Sequence, residues 1–162
     1  MKIFLGLFFS LCTFFSFQAI TLEKGKWSFV KTDEYCYIGS LAIQSDLSPE
    51  KNRGEFYILV YKNIGTTETV IQIEAGYDYK IGPDINVNID GGNYIFYTNV
   101  DVPSAAWTEE DNKVIFAMKK GLDLVVTGES SRGTVTNDTY TLKGFTSAFN
   151  KLIEDCWWRK LF

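Results

Sequence analysis

The sequence predicts a mainly β domain, an antiparallel β-sandwich or flattened barrel with two short α-helices, one of them C-terminal. Three observations lead there. Apolar and polar residues alternate with period two, most cleanly where Ile85, Val87 and Ile89 interleave with Asp84, Asn86, Asn88 and Asp90. Short apolar runs are separated by turn residues such as Gly91-Gly92. The two helical stretches stand singly among strands, so there is no regular βαβ alternation, which argues against a doubly wound parallel sheet.

In chain order, residues 27–30 open a short strand and residues 35–43 form a second. Ser48, Pro49, Asn52 and Gly54 mark a loop. Residues 56–61 are a compact, aromatic-rich run that reads as a well-buried strand. Val70, Ile71 and Ile73 make a strand ending near Gly76. The alternating stretch 85–89 and the run 94–97 read as a hairpin turned by Gly91-Gly92. Thr108 caps a helix with Asp111 three residues on, Val114, Ile115 and Met118 form its apolar stripe, and Gly121 ends it. Residues 122–127 and 133–142 are paired strands around Ser130-Ser131-Arg132. Phe145, Ala148, Phe149, Leu152, Ile153 and Cys156 share one face of a final helix.

The 162 residues suit one domain, expected to span 20–162. Residues 1–19 read as a secretory signal peptide: Lys2, a largely apolar run from Ile3 to Phe17, then Ala19. The apolar run is shorter than a membrane-spanning helix requires, and Leu11 before Cys12 argues against a lipidation site. Of the 16 basic residues only Lys2 lies in this leader, whereas all 20 acidic residues lie beyond it. The acidic balance argues against nucleic acid or an anionic membrane as partner. With Cys12 removed, Cys36 and Cys156 remain, and an exported chain most simply joins them in one disulfide; two free buried thiols are the alternative.

The chain has no His, which removes Ser-His-Asp and Cys-His catalysis and His-ligated zinc. Asp84, Asn86, Asn88 and Asp90 resemble a calcium loop, but Ile89 and Ile95 stand where that loop needs Gly and Glu. No metal or cofactor is expected. A His-independent hydrolase would need paired carboxylates, with Glu109, Glu110 and Asp138 as candidates. Ser130, Ser131 and Arg132 form a polar turn in which Arg132 offers a fork for a carboxylate. Among the aromatic residues, Trp107 and Tyr140 join Arg132 as candidate binding residues, since Tyr and Trp anchor interfaces. Residues 157–162 mix aromatic and basic side chains, a composition suited to packing on the sandwich or touching a membrane interface.

Ala106-Trp107, Ala117-Met118-Lys119-Lys120-Gly121, Leu124-Val125-Val126, Ser130-Ser131-Arg132-Gly133-Thr134 and residues 138–145 follow one another in order. With Trp27, Cys36-Tyr37, Gly76-Tyr77 and Ile89-Asp90-Gly91, this series resembles the invasion-associated locus B family of exported bacterial proteins. The resemblance implies a signal peptide, a periplasmic or cell-surface location and a compact β-rich domain. It also implies kinship with proteins linked to the invasion of host cells, and no reaction. The reading is therefore an exported, non-catalytic, monomeric binding, host-interaction or envelope factor acting on a protein or envelope component.

Overall fold

The computed structural model describes residues 22–48 and 50–157. The leader expected at 1–19 and residues 158–162 lie outside the described residues. Ten strands and two helices are present among those described. The strands are β1 (Ser28–Lys31), β2 (Tyr35–Leu41), β3 (Gln44–Ser45), β4 (Tyr57–Asn63), β5 (Val70–Glu74), β6 (Ile85–Ile89), β7 (Gly92–Phe96) and β8 (Ala105–Ala106). Helix α1 (Asp111–Lys120) follows, then β9 (Asp123–Glu129), β10 (Val135–Thr141) and α2 (Phe145–Asp155). They build two five-stranded antiparallel sheets, ordered β1-β2-β4-β5-β8 and β3-β10-β9-β6-β7. The architecture is an open sandwich rather than a closed barrel.

The alternation seen in the sequence sets the layers. Ile38, Ile58, Val60, Ile71 and Ile73 from the first sheet join one buried cluster with Ile85, Val87, Phe96, Leu124 and Val126 from the second. Burying each such side chain stabilises by roughly 1.5–3 kcal/mol, which is the main cohesive force of a sandwich. Both helices add to the same cluster through Val114, Ile115, Met118, Phe145 and Leu152. Trp27 packs edge-on against Phe145 at 4.9 Å between ring centroids. Its indole N–H donates to the Thr141 carbonyl at 3.0 Å, so the one polar atom of the buried ring is satisfied.

Cys36 and Cys156 are joined, with their Cα atoms 5.8 Å apart. The bond ties the C-cap of α2 to the second residue of β2.

Three local expectations are corrected. The β6–β7 turn is Asp90-Gly91, one residue earlier than Gly91-Gly92, because Ile89 pairs with Gly92. Asp90 and Gly91 both take positive φ, 46° and 95°, as a two-residue hairpin turn of this hand demands. Helix α1 begins at Asp111 with Glu110 at its N-cap and no side-chain cap. The Asp111 carboxylate instead accepts the Ile71 amide at 2.7 Å, on an edge of β5 that the two-residue β8 does not cover. An edge amide with no strand neighbour competes well for a nearby carboxylate. Finally, β4 is not buried on both faces. Ile58, Val60 and Lys62 are buried, whereas Tyr57, Leu59 and Tyr61 are half-exposed.

Candidate functional site

A cleft of about 790 Å³ opens where the loop before β4, the segment after β5 and the β9–β10 loop meet. Its floor is set by a close backbone approach. Gly54 donates its amide to the Gly76 carbonyl at 2.8 Å. Gly76 has a φ of 69°, and a Cβ there would lie 2.4 Å from the Gly54 carbonyl oxygen, so only glycine fits.

That crossing turns Arg53 inward. Its two terminal nitrogens donate to the two carboxylate oxygens of Asp138 at 2.9 Å each. Nε donates to the Ala75 carbonyl at 2.9 Å, and Nη2 reaches the same oxygen. The Ser45 hydroxyl accepts a longer bond at 3.4 Å. The guanidinium lies over the Phe56 ring at 3.7 Å and the Tyr77 ring at 4.9 Å. Both side chains of the pair are about 5% exposed. Burying two charges is offset only when geometry is good and the remaining donors are satisfied, and here they are. The pair joins the loop before β4 to β10 of the opposite sheet.

Around this pair stand neutral phenols. Burial, foremost, raises the pKa values of Tyr77, Tyr79 and Tyr140, most strongly for the last two. The Tyr77 hydroxyl shares a 2.7 Å hydrogen bond with Thr136. All three stay protonated near neutral pH.

The mouth of the cleft is hydrophilic. Lys51, Asp78, Ser131 and Arg132 line it and are exposed, and half-buried Thr134 lies beside them. Among the described residues neither Lys51 nor Arg132 takes part in an ion pair. The loop that carries Arg132 is held by its own bonds: Ser130 Oγ accepts the Thr134 amide at 3.1 Å, and Ser131 donates its amide to the Asp78 carbonyl at 2.8 Å. Gly133 takes a φ of 81° within it.

The structure does not bring Trp107, Arg132 and Tyr140 together. Arg132 lines the cleft. Tyr140 is 1% exposed and belongs to the core. Trp107 is half-buried beside β8, where its backbone exchanges bonds of 2.9 and 2.8 Å with Tyr97. Glu109 and Glu110 are exposed ahead of α1, and Glu110 pairs with Lys113 at 2.9 Å. They do not line the cleft, and Asp138 is engaged by Arg53. Asn86 and Asn88 donate their side-chain amides to Asn93 on the neighbouring strand. Among the described residues no group of three or more acidic or thiol side chains converges. No helix among them is long and apolar enough to cross a membrane.

Sequence reasoning missed Arg53, because its partner is 85 residues away and the surrounding loop composition says only that the chain turns. It also missed the outward tyrosines of β2 and β4. The period-two spacing of Tyr57, Leu59 and Tyr61 is the signal that could have found them.

A solved structure shares this architecture. Invasion associated protein B from Bartonella henselae matches with a TM-score of 0.57 and 16% identity, over 80% of this chain and 93% of that one. A search of curated proteins returned no match. The family model described as invasion associated locus B (IalB) protein matches residues 31–153, from the last residue of β1 into α2. That span takes in both sheets, Cys36 and the cleft residues, and the chain belongs to the IalB family.

Proposed function

We propose that the chain is an exported, non-catalytic envelope protein that holds an acidic group of a partner in the cleft beside Arg132. One observation carries this reading. The cleft offers two exposed cations outside any described ion pair, Lys51 and Arg132, against one lining carboxylate, Asp78. A guanidinium beside backbone and hydroxyl groups is suited to bidentate grip on a carboxylate or phosphate.

The same geometry supports binding over catalysis. Ser130 Oγ accepts a backbone amide, and the one carboxylate buried behind the cleft is bonded at both oxygens to Arg53. Paired-carboxylate hydrolysis needs two acids at a set separation across a substrate, one of them free to move a proton. Export is supported by the leader composition, by the family and by the Cys36–Cys156 bridge.

The test has two arms. Fractionation with N-terminal sequencing should find the oxidised chain outside the cytoplasm, cleaved near residue 19. Envelope extract should yield a partner whose retention falls at least tenfold with Arg132→Ala and whose capture weakens with salt. A cytoplasmic, uncleaved chain would sink the export half. Retention unaffected by Arg132→Ala, or hydrolysis of an envelope substrate by the purified protein, would sink the binding half.

A further inference from the structure

The outer faces of the two sheets differ in aromatic content. An antiparallel sheet with one face on a core normally carries polar residues on the other. The second sheet is largely polar there, with Asn86, Asn88, Thr127 and Asn137 beside exposed Ile95 and Val135. The first sheet is richer in aromatic side chains. Across its outer face Tyr35 is opposite Asn63, Tyr37 is opposite Tyr61, and Leu59 is opposite Gln72. These six residues enclose a groove of about 370 Å³. The Tyr35 and Tyr37 rings stack with centroids 6.2 Å apart and planes inclined by 28°. Tyr35 is 40% exposed, an expense in water that a partner would recover.

Carboxylates flank the groove. Among the described residues no charged side chain lines it. Glu34 is exposed immediately before Tyr35, and Glu74 continues the same face at the far end of β5. Burial first, then the Asp111 carboxylate, holds the Tyr61 phenol above its ordinary pKa; burial, then Glu74 and Glu55, does the same for the adjacent Tyr57.

We propose that this groove docks an extended, positively charged peptide segment of a partner protein. Cationic heads would lie over the faces of Tyr35, Tyr37 and Tyr61, where ring quadrupoles attract them. The Asn63 and Gln72 carboxamides would bond the segment's main chain, which carries a donor and an acceptor at each residue. Glu34, Glu74 and Asp111 supply the complementary charge, which raises the association rate and makes it sensitive to salt. An anionic glycan or an acidic peptide is disfavoured by the same carboxylates. The surface is distinct from the cleft beside Arg132, so each stands or falls alone.

The experiment is a titration of the full oxidised protein, followed by backbone amide shifts. Three probes are used: a twelve-residue arginine–proline peptide, a glutamate–proline peptide of equal length, and a neutral glucose hexasaccharide. The basic peptide should shift amides of β2, β4 and β5, and its affinity should fall at least fivefold between low and physiological salt. Gln72→Lys and Tyr35→Ala, both on the outer face, should each weaken it at least tenfold with an unchanged urea midpoint. Arg132→Ala should leave it unaltered. The proposal is overturned by equal binding of the acidic peptide, by shifts at this face from the saccharide alone, or by no shift with any probe. A concentration-dependent dimer that Gln72→Lys abolishes would also overturn it, by assigning the groove to a second copy of the chain.

Discussion

Asp46 and Asp111 are both carboxylates near strand edges, yet their surroundings push them in opposite directions. Asp46 accepts the Asn137 amide at 2.7 Å and the Asn137 side-chain N–H at 2.6 Å, and these bonds, the backbone one first, lower its pKa. Asp111 is half-buried, and burial raises its pKa against the opposing bond from the Ile71 amide. The linkage signs follow. Asp46 contributes stability above the unfolded carboxyl value of about 3.9, and the contribution is lost as pH falls through the lower folded value. Asp111 contributes in the reverse sense: its stabilisation is complete below the unfolded value and is lost as pH rises through the raised folded one. Asp46→Asn should therefore be less stable than wild type at pH 6, with the gap closing as pH falls below about 4. Asp111→Asn should gain on wild type between about pH 3 and pH 6. Urea unfolding followed by Trp fluorescence at a series of pH values measures both. Curves that run parallel to wild type throughout would show that neither carboxylate is linked to folding.

At the scale of elements, the residues that point inward were legible because burial imposes period two on strands and a stripe on helices. Ile85, Val87 and Ile89 are buried in that order, and α2 buries Phe145, Ala148, Phe149 and Leu152. Cys156 ends that stripe, so its meeting with β2 was readable before any coordinates. What faces outward was not legible, since Tyr57 and Tyr61 look the same in sequence whether they fill a core or line a groove. The cap of α1 was misread for a related reason: Asp111 had a tertiary competitor, the Ile71 amide, that local spacing does not reveal. Arg132 was legible as a turn residue, whereas its place in a cleft depends on the Gly54–Gly76 crossing far away in sequence. The disulfide gives this scale its prediction. It closes a loop of 120 residues, for which chain-entropy models give about 4–5 kcal/mol. A Cys36→Ser, Cys156→Ser double variant should lose about that much in urea unfolding, with the slope altered because its unfolded state is more open. Both sulfurs are fully buried, so mild reductant should leave the native protein oxidised until urea opens it. A loss below about 1 kcal/mol would mean that α2 holds its place by packing alone.

For the whole molecule, two tethers act at opposite ends of the sandwich. Cys36 lies at the start of β2, opposite Lys62 near the end of β4. Arg53 and Ala75 lie beyond the other ends of β4 and β5, where Arg53 crosses to Asp138 on the second sheet. Strands of seven residues separate the two tethers by roughly 20 Å, and sites that far apart without shared partners behave additively. Breaking either should therefore loosen its own end. Asp138→Asn leaves a buried guanidinium without its counter-charge, at a cost of about 3–5 kcal/mol. Replacing Arg53 and Asp138 together by Met and Leu should recover much of that loss, because the expense lies in the orphaned charge rather than in the missing attraction. Native-state hydrogen exchange distinguishes the two ends. Asp138→Asn should speed exchange in β3, β10 and the end of β5 while leaving β1 and the start of β2 protected. Loss of the disulfide should do the reverse, exposing β1, the start of β2 and α2. If either change speeds exchange uniformly through both sheets, the sandwich opens as one cooperative unit and the tethers do not divide it. Local loosening at the Arg53 end alone would make the cleft beside Arg132 the part of the fold able to adjust to a partner, with the disulfide end staying rigid.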